Sequence, residues 1–193
     1  VVKLIEKEIE CHKEFGNGHI IIKMNSIVDE ETISKLYEAS IAGVKCDLII
    51  RGICRLKPGI PGLSDNIKVY SIVGRFLEHT RALYFYNNGD SVIYSGSADI
   101  MQRNFDRRVE IMYPIIDSEI KEDIKEILDT YLSDNVKSRE LLSSGKYVRR
   151  EANEGEELIN AQEVFIRKVK RKYRLELKKS LQKKFKKMKK QKI

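Results

Sequence analysis

The sequence predicts an α/β fold, and three observations carry that prediction. Short apolar runs rich in β-branched residues alternate with segments whose apolar residues recur at helical spacing. The first two runs, residues 19–24 and 46–50, flank a single helical segment, and this strand–helix–strand order implies a right-handed βαβ unit with parallel pairing. Glycine, proline and asparagine cluster between the segments and mark the turns.

The elements follow in order. Leu4, Ile5 and Ile9 share one helical face, so residues 2–15 are expected to form an amphipathic helix, ended by Gly16-Asn17-Gly18. His19-Ile20-Ile21-Ile22-Lys23-Met24 is the first strand. Asp29 and Glu30 sit where a helix N-terminus favours acids, and Ile33, Leu36, Tyr37 and Ile41 carry the helix to Gly43. Residues 46–50 form the second strand. After Arg51 comes a loop punctuated by Gly52, Pro58, Gly59, Pro61 and Gly62. Residues 67–73, 82–86, 91–94 and 109–113 read as further strands, with Asn88-Gly89-Asp90 as a two-residue hairpin signal between the second and third of these. Pro114 and Ser118 introduce a helix to about Leu132, its apolar stripe being Ile120, Ile124, Ile127, Leu128 and Tyr131. Residues 133–158 read as an irregular arm or a small ribbon. From Ile159 the pattern is helical and increasingly basic.

The 193 residues suit one medium-sized domain or one domain with an appendage, and a 41% hydrophobic share supports a true core. The net charge of +8 is a property of the tail. Between Arg167 and Lys192 fifteen Lys and Arg face one acid, Glu176, which leaves residues 1–166 at −6. Cys11, Cys46 and Cys54 form an odd, sparse set without a C-x-x-C pair, which argues against a disulfide framework or a zinc site and for a reducing compartment. No apolar run approaches the ~18 residues of a membrane span. Val1 already belongs to a helical pattern, so the chain reads as a piece of a longer protein.

The chemistry-bearing residues centre on His79, in Arg75-Phe76-Leu77-Glu78-His79-Thr80-Arg81. Histidine accepts and returns a proton near neutral pH. Arg81, two residues on, is expected to share its strand face, and a guanidinium grips two phosphate oxygens at once. Ser97, in Gly96-Ser97-Ala98-Asp99, offers a hydroxyl for the imidazole or a phosphate oxygen. Arg51 leaves the carboxyl end of a parallel strand, where open α/β sheets place ligands. His12 and His19 lack such surroundings and read as a helix-surface and a strand-start histidine. Taken alone, the heptapeptide reads as a polar strand end beside surface arginines.

Spacing points further. His-x-Arg followed by Gly-Ser-x-Asp resembles the His-x-Lys…Gly-Ser-x-Asn signature of the phospholipase D superfamily, which builds its site from two such halves. Arg81 stands where Lys is usual and Asp99 where Asn is usual, and only one copy is present. Lys23-Met24-Asn25-Ser26-Ile27-Val28-Asp29, Ile50-Arg51-Gly52-Ile53-Cys54, Pro58-Gly59-Ile60-Pro61-Gly62, the segment from Ser71 to His79, Gly96-Ser97-Ala98-Asp99 and Asn160-Ala161-Gln162-Glu163 together resemble the final domain of bacterial polyphosphate kinases. The resemblance covers about residues 1–166 and implies a phospholipase D-like half-domain, a mixed β-sheet flanked by helices. A Lys/Arg-rich helix or tail at residues 167–193 lies outside the pattern.

That resemblance implies a transfer of the terminal phosphate of ATP to a histidine of a preceding domain and then to polyphosphate, reversibly and with magnesium held mainly outside this chain. His79 takes the position of the proton donor and acceptor, and Arg51 that of a contact to the nucleotide phosphates. The expected partners are ATP or ADP, polyphosphate and the preceding domains of the same kinase, as a homo-oligomer in the cytoplasm or peripheral at the inner membrane. The isolated chain is expected to lack kinase turnover. The tail reads as a solvated basic helix or disordered segment, or as an unspecific electrostatic handle for polyanions. Two rival functions remain: a phospholipase D-like phosphodiesterase or nuclease half-site, for which ester hydrolysis is the test, and a non-catalytic polyanion-binding module, indifferent to His79→Ala.

Overall fold

The structure, a computed structural model, describes residues 1–190. Eight strands form one sheet in the order β6-β5-β4-β1-β2-β3-β7-β8. Its centre is parallel: β1 (His19–Met24), β2 (Lys45–Ile50) and β3 (Ile67–Ile72) run together, with Ile22 opposite Leu48 and Leu48 opposite Val69. β1 and β2 are buried on both faces, which is why their apolar residues stand side by side rather than alternating with polar ones, Lys23 and Asp47 excepted. β4 (Ala82–Phe85), β5 (Val92–Gly96) and β6 (Met112–Pro114) extend the sheet antiparallel from β1. β7 (Ser138–Leu141) and β8 (Tyr147–Arg149) form a ribbon that joins the sheet beside β3, so the arm expected at 133–158 is part of the sheet.

Helices cover both faces. α1 (Val2–Phe15) and α2 (Glu30–Ile41) pack Ile5, Ile9, Ile33, Leu36 and Ala39 against Ile20, Ile22, Leu48 and Val69. α1 stops at Gly16, whose φ of 70° suits a residue without a Cβ. The Asp29 side chain caps α2 by accepting the Thr32 N–H at 2.9 Å. On the other face α4 (Ser118–Leu132) and α5 (Ala161–Lys190) bring Leu128, Tyr131, Ala161 and Phe165 onto Ile21, Ile49, Ile72 and Ala82. Buried Asp134 accepts the N–H groups of Val136, Lys137, Ser138 and Ala161, tying the ribbon to the start of α5. α5 runs without a break across Arg167, where the basic tail was expected to begin. The last three residues of that tail lie outside the described residues.

Three local expectations need correction, and one short helix is added. The strand expected at 109–113 pairs only over Met112–Pro114, because Glu110 is taken up by the Ser97 and Asn104 side chains before the ladder begins. The connection between β4 and β5 is not a two-residue hairpin. Tyr86 donates its N–H to His19 of β1 and Asn87 to the Glu8 carboxylate, and these bonds draw the chain through a 3-10 turn at Asn87–Gly89, with Asn87 and Asn88 at positive φ. A short helix, α3 (Gln102–Asp106), has no periodic signal in so few residues. His12 is not a plain surface histidine, since its Nδ1 accepts the Gly18 N–H at 2.9 Å and the ring is half-buried.

Candidate active site

Every residue singled out for phosphate chemistry lies at one end of the sheet. Parallel β1 and β2 end at Met24 and Ile50, which delivers Asn25 and Arg51 there. β4 starts at that same end, with Ala82 opposite Lys23, so the loop of residues 73–81 arrives beside them. β5 runs back to it, with Ser95 opposite Ala82, and hands over Ser97 and Asp99. Bridges from Ile27 to Cys54 and to Ile100 clamp the three departing loops together.

Within this end, Arg51, His79 and Arg81 converge. Arg51 Nε donates to the Glu78 carbonyl at 2.5 Å, next to His79. Arg81 extends Nη1 to within 3.3 Å of His79 Nδ1 and donates to the His79 carbonyl at 3.1 Å. His79 itself is exposed, with its ring free to meet a ligand, while Arg51 and Arg81 are half-buried. The two departures from the superfamily signature turn out to be partners. Arg81 Nε donates to Asp99 Oδ1 at 3.1 Å, and buried Asp99 also accepts the Asn25 N–H at 2.9 Å. Arginine in place of lysine and aspartate in place of asparagine thus form one ion pair that aims the remaining guanidinium N–H groups at His79.

Ser97 stands apart from the imidazole. Its hydroxyl donates to the Glu110 carboxylate and accepts the Ile111 N–H at 3.1 Å. Gly96 makes this possible, because a Cβ there would lie 2.3 Å from the Ile111 carbonyl oxygen.

A second set of residues escaped the sequence reading. Lys23, 2% exposed one residue before the end of β1, pairs with Glu78 at 3.2 Å and lies over the Tyr131 ring at 4.5 Å. Burial pulls the Lys23 ammonium below its ordinary range. Glu78 opposes that shift, while Arg51 and Arg81 add to it. Burial likewise pushes the Tyr131 phenol up, helped by the Glu78 carboxylate. Gln162, at the start of α5, donates to Glu78 Oε1 at 2.6 Å and exchanges two hydrogen bonds with the Phe76 backbone. The available signal was the lone charge of Lys23 inside a buried apolar run, which demands a partner.

The acids beside His79 are therefore spoken for, Glu78 by Lys23 and Gln162 and Asp99 by Arg81. Among the described residues no group of three or more His, Cys, Asp and Glu side chains is placed to hold a metal ion. This donor set suits anionic oxygens and does not fit magnesium.

An open mixed sheet flanked by helices, gathering a His-x-Arg loop and a Gly-Ser-x-Asp segment at one end, defines an α/β domain with a cationic site at that end. More narrowly, the chain belongs to the family described as polyphosphate kinase C-terminal domain 2, whose model matches residues 1–162. It is 56% identical to the polyphosphate kinase of Bacillus cereus over 144 residues, 75% of this chain and 20% of that protein. It is 51% identical to that of Prosthecochloris aestuarii over 166 residues, 86% of this chain and 23% of that protein. The chain thus spans about a fifth to a quarter of these curated relatives. The crystal structure of the polyphosphate kinase from Porphyromonas gingivalis superposes with a TM-score of 0.84 at 40% identity, covering 88% of this chain and 26% of that one. NucT from Helicobacter pylori shares the fold alone, with a TM-score of 0.50 at 14% identity over 67% of this chain and 87% of that one. Among the described residues no helix is long and apolar enough to cross a membrane.

Proposed function

We propose that this chain supplies one half of the active site of an ATP:polyphosphate phosphotransferase. The observation that carries the reading is the convergence of Arg51, His79 and Arg81 at the sheet end where the parallel strands stop, in a domain whose relatives are polyphosphate kinases. Arg51 and Arg81 hold phosphate oxygens. Their charges stand fixed before the phosphoryl group arrives, so stabilising it needs no reorganisation in the transition state. The His79 ring gives or takes a proton at the oxygen where a P–O bond is made or broken. Ser97 donates its hydroxyl to Glu110 at the rim of the same sheet end, within reach of a bound phosphate chain.

The histidine that receives the phosphate, and the magnesium that accompanies ATP, belong to preceding domains in this reading. When present, the metal neutralises phosphate charge. The cationic side chains of α5 add an unspecific, salt-dependent attraction for the same polymer.

The test is a titration of the chain with polyphosphate and with a non-hydrolysable ATP analogue, comparing the parent with Arg51→Ala, His79→Ala and a chain ending at Arg167. Weaker binding in the first two variants supports the half-site. Weakening only in the shortened chain overturns it in favour of a polyanion-binding tail. ATP-dependent polyphosphate synthesis by the chain alone would show that no second half is required.

A further inference from the structure

The loop that carries His79 lacks ordinary scaffolding. Among the described residues, none of the backbone-to-backbone hydrogen bonds outside helices and strands involves residues 73–81. Arg75, Phe76, Leu77, His79 and Thr80 are exposed, and Glu78 is the loop's one buried side chain. What fixes the loop is a set of side-chain bonds that meet at Glu78. Its carboxylate takes Lys23 from β1 at 3.2 Å and Gln162 from α5 at 2.6 Å. Its carbonyl takes Arg51 from the end of β2 at 2.5 Å. Gln162 then clasps the preceding turn through both backbone groups of Phe76, and it sits so close that a Cβ on Gly74 would lie 2.5 Å from its amide oxygen.

The geometry points to Glu78 as a positioning residue for both halves of the phosphate contact. One residue sets where Arg51 lies, through its carbonyl, and where His79 lies, through its side chain and the peptide that joins them. Lys23 is the buried counter-ion that makes the side-chain anchor rigid, and Gln162 is the clasp that carries the same constraint into α5. Glu78 touches no phosphate in this arrangement, because its carboxylate faces the α4/α5 side of the sheet, where Lys23 lies over Tyr131. The inference rests on the half-site reading for its ligand, but not for its geometry.

The sign of the effect separates positioning from simple electrostatics. Glu78→Gln removes a negative charge beside Lys23, Arg51 and Arg81, so electrostatics alone predicts tighter anion binding. Loss of positioning predicts the reverse. The experiment measures tripolyphosphate affinity and the NMR ring signals of His79, one of only three histidines in the chain. It compares the parent with Glu78→Gln, Gln162→Ala and, as a control, Leu36→Ala in the opposite face of the core. Gln162→Ala keeps the Lys23–Glu78 pair and guards against a Glu78 variant that fails to fold.

The expected result is a fall in affinity of roughly tenfold or more in the folded Glu78 or Gln162 variants, with His79 ring signals broadened or displaced. Leu36→Ala should match their loss of stability and leave both readouts at parent values. Parent-like or tighter binding with unmoved His79 signals in Gln162→Ala overturns the inference, as does an equal response in Leu36→Ala. If Arg51→Ala also leaves tripolyphosphate binding untouched, the half-site reading falls, and the His79 signals alone then decide the positioning role.

Discussion

The two faces of the sheet are built on different terms. Between the sheet and α1 and α2 lies a core of isoleucine, leucine, valine and alanine, closed by Ile5, Leu36 and Val44 at full burial. Between the sheet and α4 and α5 the apolar contacts are fewer, and Lys23, Glu78, Tyr131 and Gln162 are buried among them. The first face gains stability from area removed from water and tolerates repacking. The second spends burial on charged groups that must be paired, in the layer directly beneath the loop that carries His79. The asymmetry teaches that the fold separates its tasks by sheet face: one holds the domain together and the other sets the site.

The largest expected effect breaks that second face. Lys23→Met strands the Glu78 carboxylate in a buried setting and should cost about 3–5 kcal/mol in urea unfolding. Lys23→Met combined with Glu78→Gln removes both charges and should recover most of the loss. Leu36→Ala on the apolar face should cost about 2–5 kcal/mol with no such rescue, because a cavity has no partner to neutralise. A double variant no more stable than Lys23→Met would show that Lys23 acts by packing over Tyr131 and not as a counter-ion.

Next in size is the Arg81–Asp99 pair, which distinguishes this chain from the lysine and asparagine of the signature it resembles. Asp99→Asn leaves the guanidinium with a neutral partner and should cost about 1–3 kcal/mol. Arg81→Lys together with Asp99→Asn should recover part of it, with a coupling of about 0.5–3 kcal/mol between the two sites. Strictly additive losses would mean that the two side chains are not energetically coupled.

Much of the first face was legible in the sequence. Residues 19–24 and 46–50 read as central strands because both faces of a parallel strand are buried, and α1 and α2 followed from Leu4, Ile5 and Ile9 and from the Asp29 cap. The place of Arg51 was legible too, at the end of a parallel strand, whereas His79 and Arg81 meet in the loop before β4 and not on the shared strand face that their spacing of two suggested. The second face was not. Gln162 meets Phe76 across 86 positions of sequence, and no local pattern encodes such a contact. Lysine is so commonly a surface residue that Lys23 passed as a strand residue needing no explanation. The turn at Asn87–Gly89 escaped because Glu8, far away in α1, decides where Asn87 goes. Local rules fail here where distant polar groups, not apolar periodicity, choose the conformation.

The smallest effect sharpens the comparison from the opposite end of the central strands. Asp47, 2% exposed on β2, accepts from His19 Nε2 at 2.8 Å and Lys45 Nζ at 2.9 Å. Burial pushes this carboxyl up, but the bonds from His19 and Lys45 together outweigh it and hold the group below the ordinary aspartate range. Lys45 is largely exposed, so its share is screened and the His19 bond carries more of the effect. A carboxyl lowered on folding stabilises the fold above its unfolded value of ~3.9, and that contribution is lost as pH falls through the lower folded value. Asp47→Asn should therefore cost on the order of 1 kcal/mol at neutral pH, and the gap between parent and variant should close as the acid limb is descended. The Lys23–Glu78 anchor and the Asp47 contact share β1 and β2 but no partner, so the two sets of losses should add. A gap between parent and Asp47→Asn that stays constant down the acid limb would mean that the side chain matters for its shape and not for its charge.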